Sequence, residues 1–367
     1  MESFTGLFLF SRVNSDARSN SFNGNYGVNA GMTLWQGGAI NDAIEQARLH
    51  KEQSSYTTSQ YDNTLAINVL QAFLTVLGTE ELLKYQQAVV EASAEQVKQG
   101  AAQLKAGTIL ESDYLMLEAQ YAGDRYSIAG TQMQRNTNLL TLKNLLAMDM
   151  SQPLEVVYPD TSAITSMSAM PTMGEVLDRA RETLPDLKIS RYNVDIADNA
   201  VKMARAQYYP SLSLSAGVGT GHLQNYSDFG GQLRDGFSQS AGLTLSVPIF
   251  NNLRTRSNVY QRNTALRQAQ LEMKQTELDA MQTVATEYQD VVLSYNKYRT
   301  DDIRRNAYLR TFEAYSVQFN AGAITAVDLL QQQNNYISVL NDYIQSKYGF
   351  MLKRKVLDIY MGVPVNM

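Results

Sequence analysis

The longest regular feature of the chain is a column of apolar residues seven positions apart. Between Ala39 and Leu104, a stretch without proline, it takes Val69, Val76, Leu83, Val90, Val97 and Leu104. A seven-residue repeat sustained over that length predicts a helix wound against partners in a left-handed coiled coil. The column recurs later as Val284, Val291, Tyr298, Arg305, Phe312 and Phe319, broken only by Arg305. At about 1.5 Å per residue, each descending run would reach on the order of 100 Å, far beyond a globular helix.

Both columns stop at a near-identical break. "QLKAGTILESDYL" (Gln103 to Leu115) and "QFNAGAITAVDLL" (Gln318 to Leu330) align Gly107 with Gly322 (322 − 107 = 215), and Ala106/Ala321, Ile109/Ile324, Asp113/Asp328 and Leu115/Leu330 then coincide. A returning apolar column follows each break: Tyr121, Ile128 and Leu142 in the first copy, Tyr336, Tyr343, Phe350 and Leu357 in the second, with Arg135 opposite Phe350 as the odd pair. Gly107 and Gly322 are the expected hinges, because glycine enters a left-handed turn without steric cost. The returning helices end at "LLAMDMSQP" and "DIYMGVP", where Gly362, Pro153 and Pro364 act as stop signals. The sequence is thus a duplicated helical hairpin.

Ahead of the descending helices the period changes to two. "YGVNAGMTLW" puts Tyr26, Val28, Ala30, Met32 and Leu34 on one face, and "SLSLSAGVG" and "SAGLTLSVPIF" alternate in the same way, with small polar residues opposite. This fits strands of a membrane barrel, or a half-buried sheet in a soluble domain. The expected plan is a strand region over 1–38, a helical hairpin over 39–148 with its tip near 105–112, a connector over 149–210, a strand hairpin over 211–251, and a second hairpin over 252–362 with its tip near 320–327. Within the connector, Pro153, Pro159 and Pro171 punctuate the chain and Pro185 restarts a helix. Gly221 to Phe237 reads as an exposed loop.

Composition narrows the chemistry. Charged residues are 18% of the 367, there is no cysteine, and the net charge is −5 without a basic cluster. A disulfide framework, a thiolate metal site and a nucleic-acid phosphate partner are therefore not expected. His50 and His222, the only histidines, sit in different segments, and "GVGTG" lacks the lysine of a phosphate loop. No cofactor, metal or catalytic group is expected. No apolar run approaches the roughly 18 residues of a membrane-spanning helix, and the opening residues lack the basic segment and cleavage site of a signal peptide.

A strand, then "VPIFNNLRTRS" or "TLWQGGAIND", a very long helix, a glycine break, a returning helix and a Gly/Pro end, all performed twice, resembles the TolC-like outer-membrane efflux protein family over Tyr26 to Val363. "LPDLKISRYNVDIADNAVKMARAQYYPSLSLSAG" is also similar to the opening of the family's second half. The resemblance implies a mainly α protein with a membrane β-barrel. Duplicated coiled-coil hairpins would form a periplasmic tunnel, and four strands from each protomer of a homotrimer one twelve-stranded barrel. It implies a passive duct in the outer membrane of a Gram-negative-type bacterium, for drugs, toxic compounds or secretion. The implied partners are a periplasmic adaptor (membrane fusion) protein, an inner-membrane transporter and outer-membrane lipid, with no nucleic acid. Four strands cannot close a barrel and lipid tolerates no open edge, so strands from other copies would be required. The other reading is a soluble coiled-coil structural or adaptor protein with a small β domain. The family has a helix and a first strand ahead of the point where this chain begins; "FTGLFLF" (Phe4 to Phe10) is expected to be what remains of that strand or its loop.

The family closes its channel at the hairpin tips. Asp328 falls on an aspartate that projects into the closed pore there, and Gln331 stands where a second pore aspartate is usual. A ring of carboxylates around a three-fold axis would attract cations. The alternative for Asp328, and for its repeat mate Asp113, is helix capping; Asp113 could also pair within the gate. The family's tip tyrosine and arginine fall on Phe319 and Ile324, so apolar packing or different polar contacts would hold this gate. Lys105, Thr108, Glu111, Asn320 and Thr325 are the expected docking surface for an adaptor's helical hairpin. Trp35 and Phe250, with Tyr208 and Tyr209, flank strand ends, at a membrane interface or at the junction of barrel and tunnel.

Overall fold

The computed structural model describes residues 2–13, 21–158, 170–223 and 228–363. In chain order these form β1 (Glu2–Val13), β2 (Ser21–Gln36), α1 (Ala39–Lys105), α2 (Glu111–Leu145), α3 (Met173–Thr183), α4 (Pro185–Ala206), β3 (Ser211–Leu223), α5 (Phe229–Asp235), β4 (Ser238–Ser246), α6 (Arg254–Asn320) and α7 (Ala326–Tyr360). α1 and α6 have 67 residues each, α2 and α7 have 35 each, and their ends repeat at the offset that aligns Gly107 with Gly322. The chain divides into two compact units: Met1–Ser55 with Lys188–Gln275, and Tyr56–Leu187 with Thr276–Met367.

The first unit holds an antiparallel sheet in the order β1-β2-β3-β4. Its register sets Val28 against Val218, Ala30 against Ala216 and then Ala241, and Met32 against Leu214 and then Leu243. The apolar residues of three strands therefore form rows across one face, while Gly31, Ser215 and Gly242 share a row on the other. The expected alternation does not run unbroken through Leu34. An irregularity between Thr33 and Trp35 shifts the pairing, so that Trp35 lies opposite Leu212. Of the two expectations for "FTGLFLF", strand or loop, the strand holds: it lies inside β1, which pairs with β2 from Glu2 to Val13. β1 and β4 each keep one edge unpaired among the described residues, and all nine residues of β4 are exposed.

The loop expected over Gly221 to Phe237 is more structured than its composition suggests. β3 continues through Leu223, 224–227 lie outside the described residues, and α5 follows with Asp228 accepting from the Gly231 N–H at 2.9 Å. α4 is tied to the start of α1 by Asn199, whose Nδ2 donates to the Asp42 carbonyl at 2.7 Å and to Gln46 Oε1 at 2.9 Å.

The second unit is built on α1, α2, α6 and α7. One core cluster joins Leu70, Leu74 and Leu77 of α1, Leu117 of α2, Phe312 and Phe319 of α6, and Leu329, Tyr336, Leu340 and Tyr343 of α7. A second joins Val176 and Ala180 of α3 to Val284, Val291, Phe350 and Leu357. The columns of α6 and α7 are thus core. Arg305, the one break, lays its guanidinium over the Tyr343 ring at 4.2 Å. In α1 only Val76 of the expected column is fully buried; the buried positions are Leu70, Leu74, Leu77, Val89, Ser93, Gln96 and Gly100. The displacement has a simple cause, because α1 contributes to a core shared with both α2 and α7, and its buried sector widens beyond one column. Contrary to the sequence expectation, α1 is long and apolar enough, by length and composition alone, to cross a membrane. Within it Leu70, Leu74, Val76 and Leu77 are packed core.

Thr172 and Glu175 form a capping box at the start of α3, and Leu184 separates α3 from Pro185, the first residue of α4. Pro159 of the connector lies outside the described residues.

Candidate functional site at the hairpin tips

Both tips belong to the second unit, and both turn by the same hydrogen-bond pattern. Gly107 and Gly322 have φ of 72° and 71°. Around the first, the Thr108 N–H donates to the Gln103 carbonyl at 3.0 Å and the Gly107 N–H to the Leu104 carbonyl at 3.0 Å. Around the second, the Ala323 N–H donates to Gln318 at 2.9 Å and the Gly322 N–H to Phe319 at 3.0 Å. These are Schellman closures, which satisfy the last free carbonyls of a helix and require the left-handed residue glycine supplies. The tips are joined by the Gln103 side chain, whose Nε2 donates to the Phe319 carbonyl at 3.0 Å.

The returning helices start differently. Thr325 caps α7 in a capping box: its Oγ1 accepts from the Asp328 N–H at 3.2 Å, and Asp328 Oδ2 accepts from the Thr325 N–H at 3.3 Å. Asp328 is exposed while it does so, as is Gln331, whose Nε2 donates to Asn335 Oδ1 at 3.2 Å. In α2 the cap position is Leu110, which has no side-chain hydrogen bond. Asp113 therefore makes no side-chain cap bond, but it stands in the first turn of α2, where a negative charge suits the helix dipole.

Phe319 is only 1% exposed. Its ring is part of the core of the chain, in one cluster with Leu329 and Leu330, so it supports the tip from inside and presents no surface. Lys105, Gly107, Thr108, Glu111, Asn320, Gly322 and Thr325 are all exposed. In the first unit, Trp35 is 45% and Phe250 80% exposed.

The model of the outer membrane efflux protein family matches residues 5–148 and 176–361. The chain belongs to this family. The outer membrane protein TolC of Escherichia coli is 22% identical over 329 residues, which are 84% of this chain and 63% of that protein. The alkaline protease secretion protein AprF of Pseudomonas aeruginosa is 24% identical over 313 residues, 82% of this chain and 61% of AprF. The chain thus spans less than two thirds of both relatives. Among solved structures, CusC superposes with a TM-score of 0.78 at 17% identity, covering 99% of this chain and 83% of that chain. The outer-membrane channel OprN gives 0.77 at 17%, covering 99% and 82%. The fold of these channels is the fold of this family member.

Between its hairpins, this family member carries a buried polar network that periodicity did not reveal. Ser93 of α1 donates its hydroxyl to Asp124 of α2, and Gln333 of α7 donates from Nε2 to Asp124 at 2.8 Å and to Ser93 Oγ at 3.0 Å. A signal existed: the repeat mate of Asp124 is Val339, a core residue, so a carboxylate there breaks the apolar pattern. Farther along, Lys347 Nζ and the Tyr348 hydroxyl both donate to Glu81 at 2.7 Å. Burial, with that hydrogen bond, pushes the Tyr348 phenol well above its ordinary pKa and keeps it a donor. Among the described residues no group of three or more His, Asp or Glu could hold a metal ion.

Proposed function

We propose that the chain is the protomer of a passive homotrimeric exit duct in the outer membrane. It would pass drugs, toxic compounds or secreted polypeptide received from an inner-membrane transporter through a periplasmic adaptor protein. The observation that carries this reading is the open four-stranded sheet, with its rows of apolar residues on one face and an unpaired edge on each outer strand. In lipid such edges are costly, and strands of neighbouring copies would close them into one barrel. A second observation favours neighbours: Tyr126, Met133 and Leu140 of α2, seven apart, are 80%, 72% and 48% exposed. That is a coiled-coil stripe without a partner in its own protomer.

In this reading residues 1–38 and 211–251 supply the barrel, 39–148 and 252–362 the tunnel hairpins, and 149–210 an equatorial connector. Asp328 and Gln331 form polar rings at the gate, Asp113 lies beside them, and Phe319 holds the tip rigid from within. Lys105, Thr108, Glu111, Asn320 and Thr325 receive the adaptor, Gly107 and Gly322 shape that surface, and Trp35 and Phe250 border the lipid. No residue has a catalytic role. Membrane fractionation of the full-length protein tests the reading. Recovery from the outer membrane as a detergent-stable trimer is expected; recovery as a soluble monomer would overturn it in favour of a soluble coiled-coil protein.

A further inference from the structure

The two copies of the duplication part company where the last strand enters the descending helix. Phe250, Asn251, Asn252, Leu253, Arg254, Thr255 and Arg256 stand where the first copy has Trp35, Gln36, Gly37, Gly38, Ala39, Ile40 and Asn41. Both copies turn there on two consecutive left-handed residues. Gly37 and Gly38 have φ of 58° and 91°, Asn252 and Leu253 of 52° and 62°. Glycine adopts this backbone freely, whereas leucine is strained in it. Room does not explain the glycine, because a side chain at Gly38 would meet nothing within 4 Å. Leu253 is therefore kept against its backbone preference, and the turn itself does not require it.

What the second copy gains is a surface. Leu253 is 62% exposed, and it continues an apolar group with Val247 at 54%, Ile249 at 95% and Phe250 at 80%. Directly beside it the charge is one-sided. α6 carries Arg254, Arg256, Arg262 and Arg267 with no acidic residue before Glu272, while the matching turns of α1 mix Asp42, Glu45 and Glu52 with Arg48 and Lys51. Cations in the first turn oppose the helix dipole, and neither Arg254 nor Arg256 has an ion-pair partner among the described residues. Arginine alone would suit any acidic surface; arginine contiguous with exposed Ile, Phe and Leu suits a partner that is anionic and oily at once.

We infer that residues 247–256 form a membrane-surface anchor for anionic phospholipid. Ile249, Phe250 and Leu253 enter the boundary between headgroups and acyl chains, and Arg254 and Arg256 take the phosphate and the net negative charge of the headgroup. This rests on the barrel reading of the sheet, whose strand β4 ends at Ser246, next to the segment.

The test uses the full-length protein in nanodiscs of phosphatidylcholine with and without phosphatidylglycerol, and native mass spectrometry of the lipids it retains. The parent should retain phosphatidylglycerol preferentially, and Arg254→Ala with Arg256→Asn, the first-copy residues, should cut that preference by roughly tenfold or more. Leu253→Gly should raise the melting temperature in detergent, by relieving the turn, and lower retention of both lipids. Equal preference in parent and arginine variant overturns the inference, as does a Leu253→Gly protein that melts lower in detergent. A protein that inserts into nanodiscs but shows no lipid preference removes the anchor alone; one that does not insert removes the barrel reading and the anchor with it.

Discussion

Gln333 of α7 donates its side-chain amide to the Asp124 carboxylate of α2 at 2.8 Å, and the bond joins the two hairpins through their common core. Gln333 is 0% and Asp124 7% exposed. The other carboxylate oxygen accepts from Gln120 at 2.8 Å, so both oxygens have donors although no cation among the described residues bonds to the group. A buried carboxylate survives when its lone pairs are met, and removing one donor costs more than removing the set. Gln333→Leu should therefore destabilise the protein by about 1–3 kcal/mol, while adding Asp124→Leu should recover part of that loss. Denaturant unfolding of both variants in detergent checks it; strictly additive losses would remove the coupling.

The unequal starts of the returning helices give a pair of opposite predictions. Thr325 and Asp328 close a capping box, whereas Leu110 leaves Asp113 without one. Thr325→Ala should cost about 1 kcal/mol of stability, and Leu110→Thr should add a similar amount, because the new hydroxyl would complete a box with Asp113. Thermal unfolding and hydrogen exchange of the first turns of α2 and α7 read both. A Leu110→Thr protein with unprotected amides in α2 would show that the first tip cannot close a box.

Much of this fold is written in local chemistry. Helix ends follow from Gly107, Gly322 and Gly362, all with left-handed φ, and the columns of α6 and α7 fall in the two core clusters, Arg305 excepted. Where several faces compete, periodicity loses resolution: α1 buries Leu70 and Leu77 in place of Val69 and Leu83. The irregularity at Trp35 was invisible because an unmatched residue in a strand leaves the alternation on either side intact. At the site, the exposure of Lys105, Asn320 and Asp328 follows from their place at the bends. The resemblance alone placed Phe319 at the pore, although its position in the core column already pointed inward.

Asp358 near the end of α7 gives a pH dependence. Burial raises its pKa above the ordinary 3.8, with Arg354 and Lys355 pulling the other way. A carboxyl whose folded pKa is raised contributes its full stability below the unfolded value and loses it as pH rises through the folded value. Asp358→Asn cannot ionise. Its stability relative to the parent should therefore rise as pH climbs from below 3.8 toward neutrality, then level off. Unfolding of both proteins across that range checks the sign; a difference that falls with rising pH would mean that Arg354 outweighs burial.

The cap bond and the charge of Asp328 can be separated by one substitution. Its Oδ2 closes the cap on Thr325, yet the side chain remains exposed, so its charge reaches solvent. Asparagine keeps an oxygen that can accept from the Thr325 N–H and loses the charge. On the gate proposal, Asp328→Asn should leave unfolding within about 0.5 kcal/mol of the parent, while block of conductance by multivalent cations in planar bilayers falls, since a ring of carboxylates becomes a ring of neutral amides. Gln331→Asp should act in the opposite sense, adding a second ring one turn along α7 and strengthening block. Unchanged block in both variants would take Asp328 out of the pore and leave it a helix cap. Block lost together with more than about 1 kcal/mol of stability would instead trace the effect to a frayed α7.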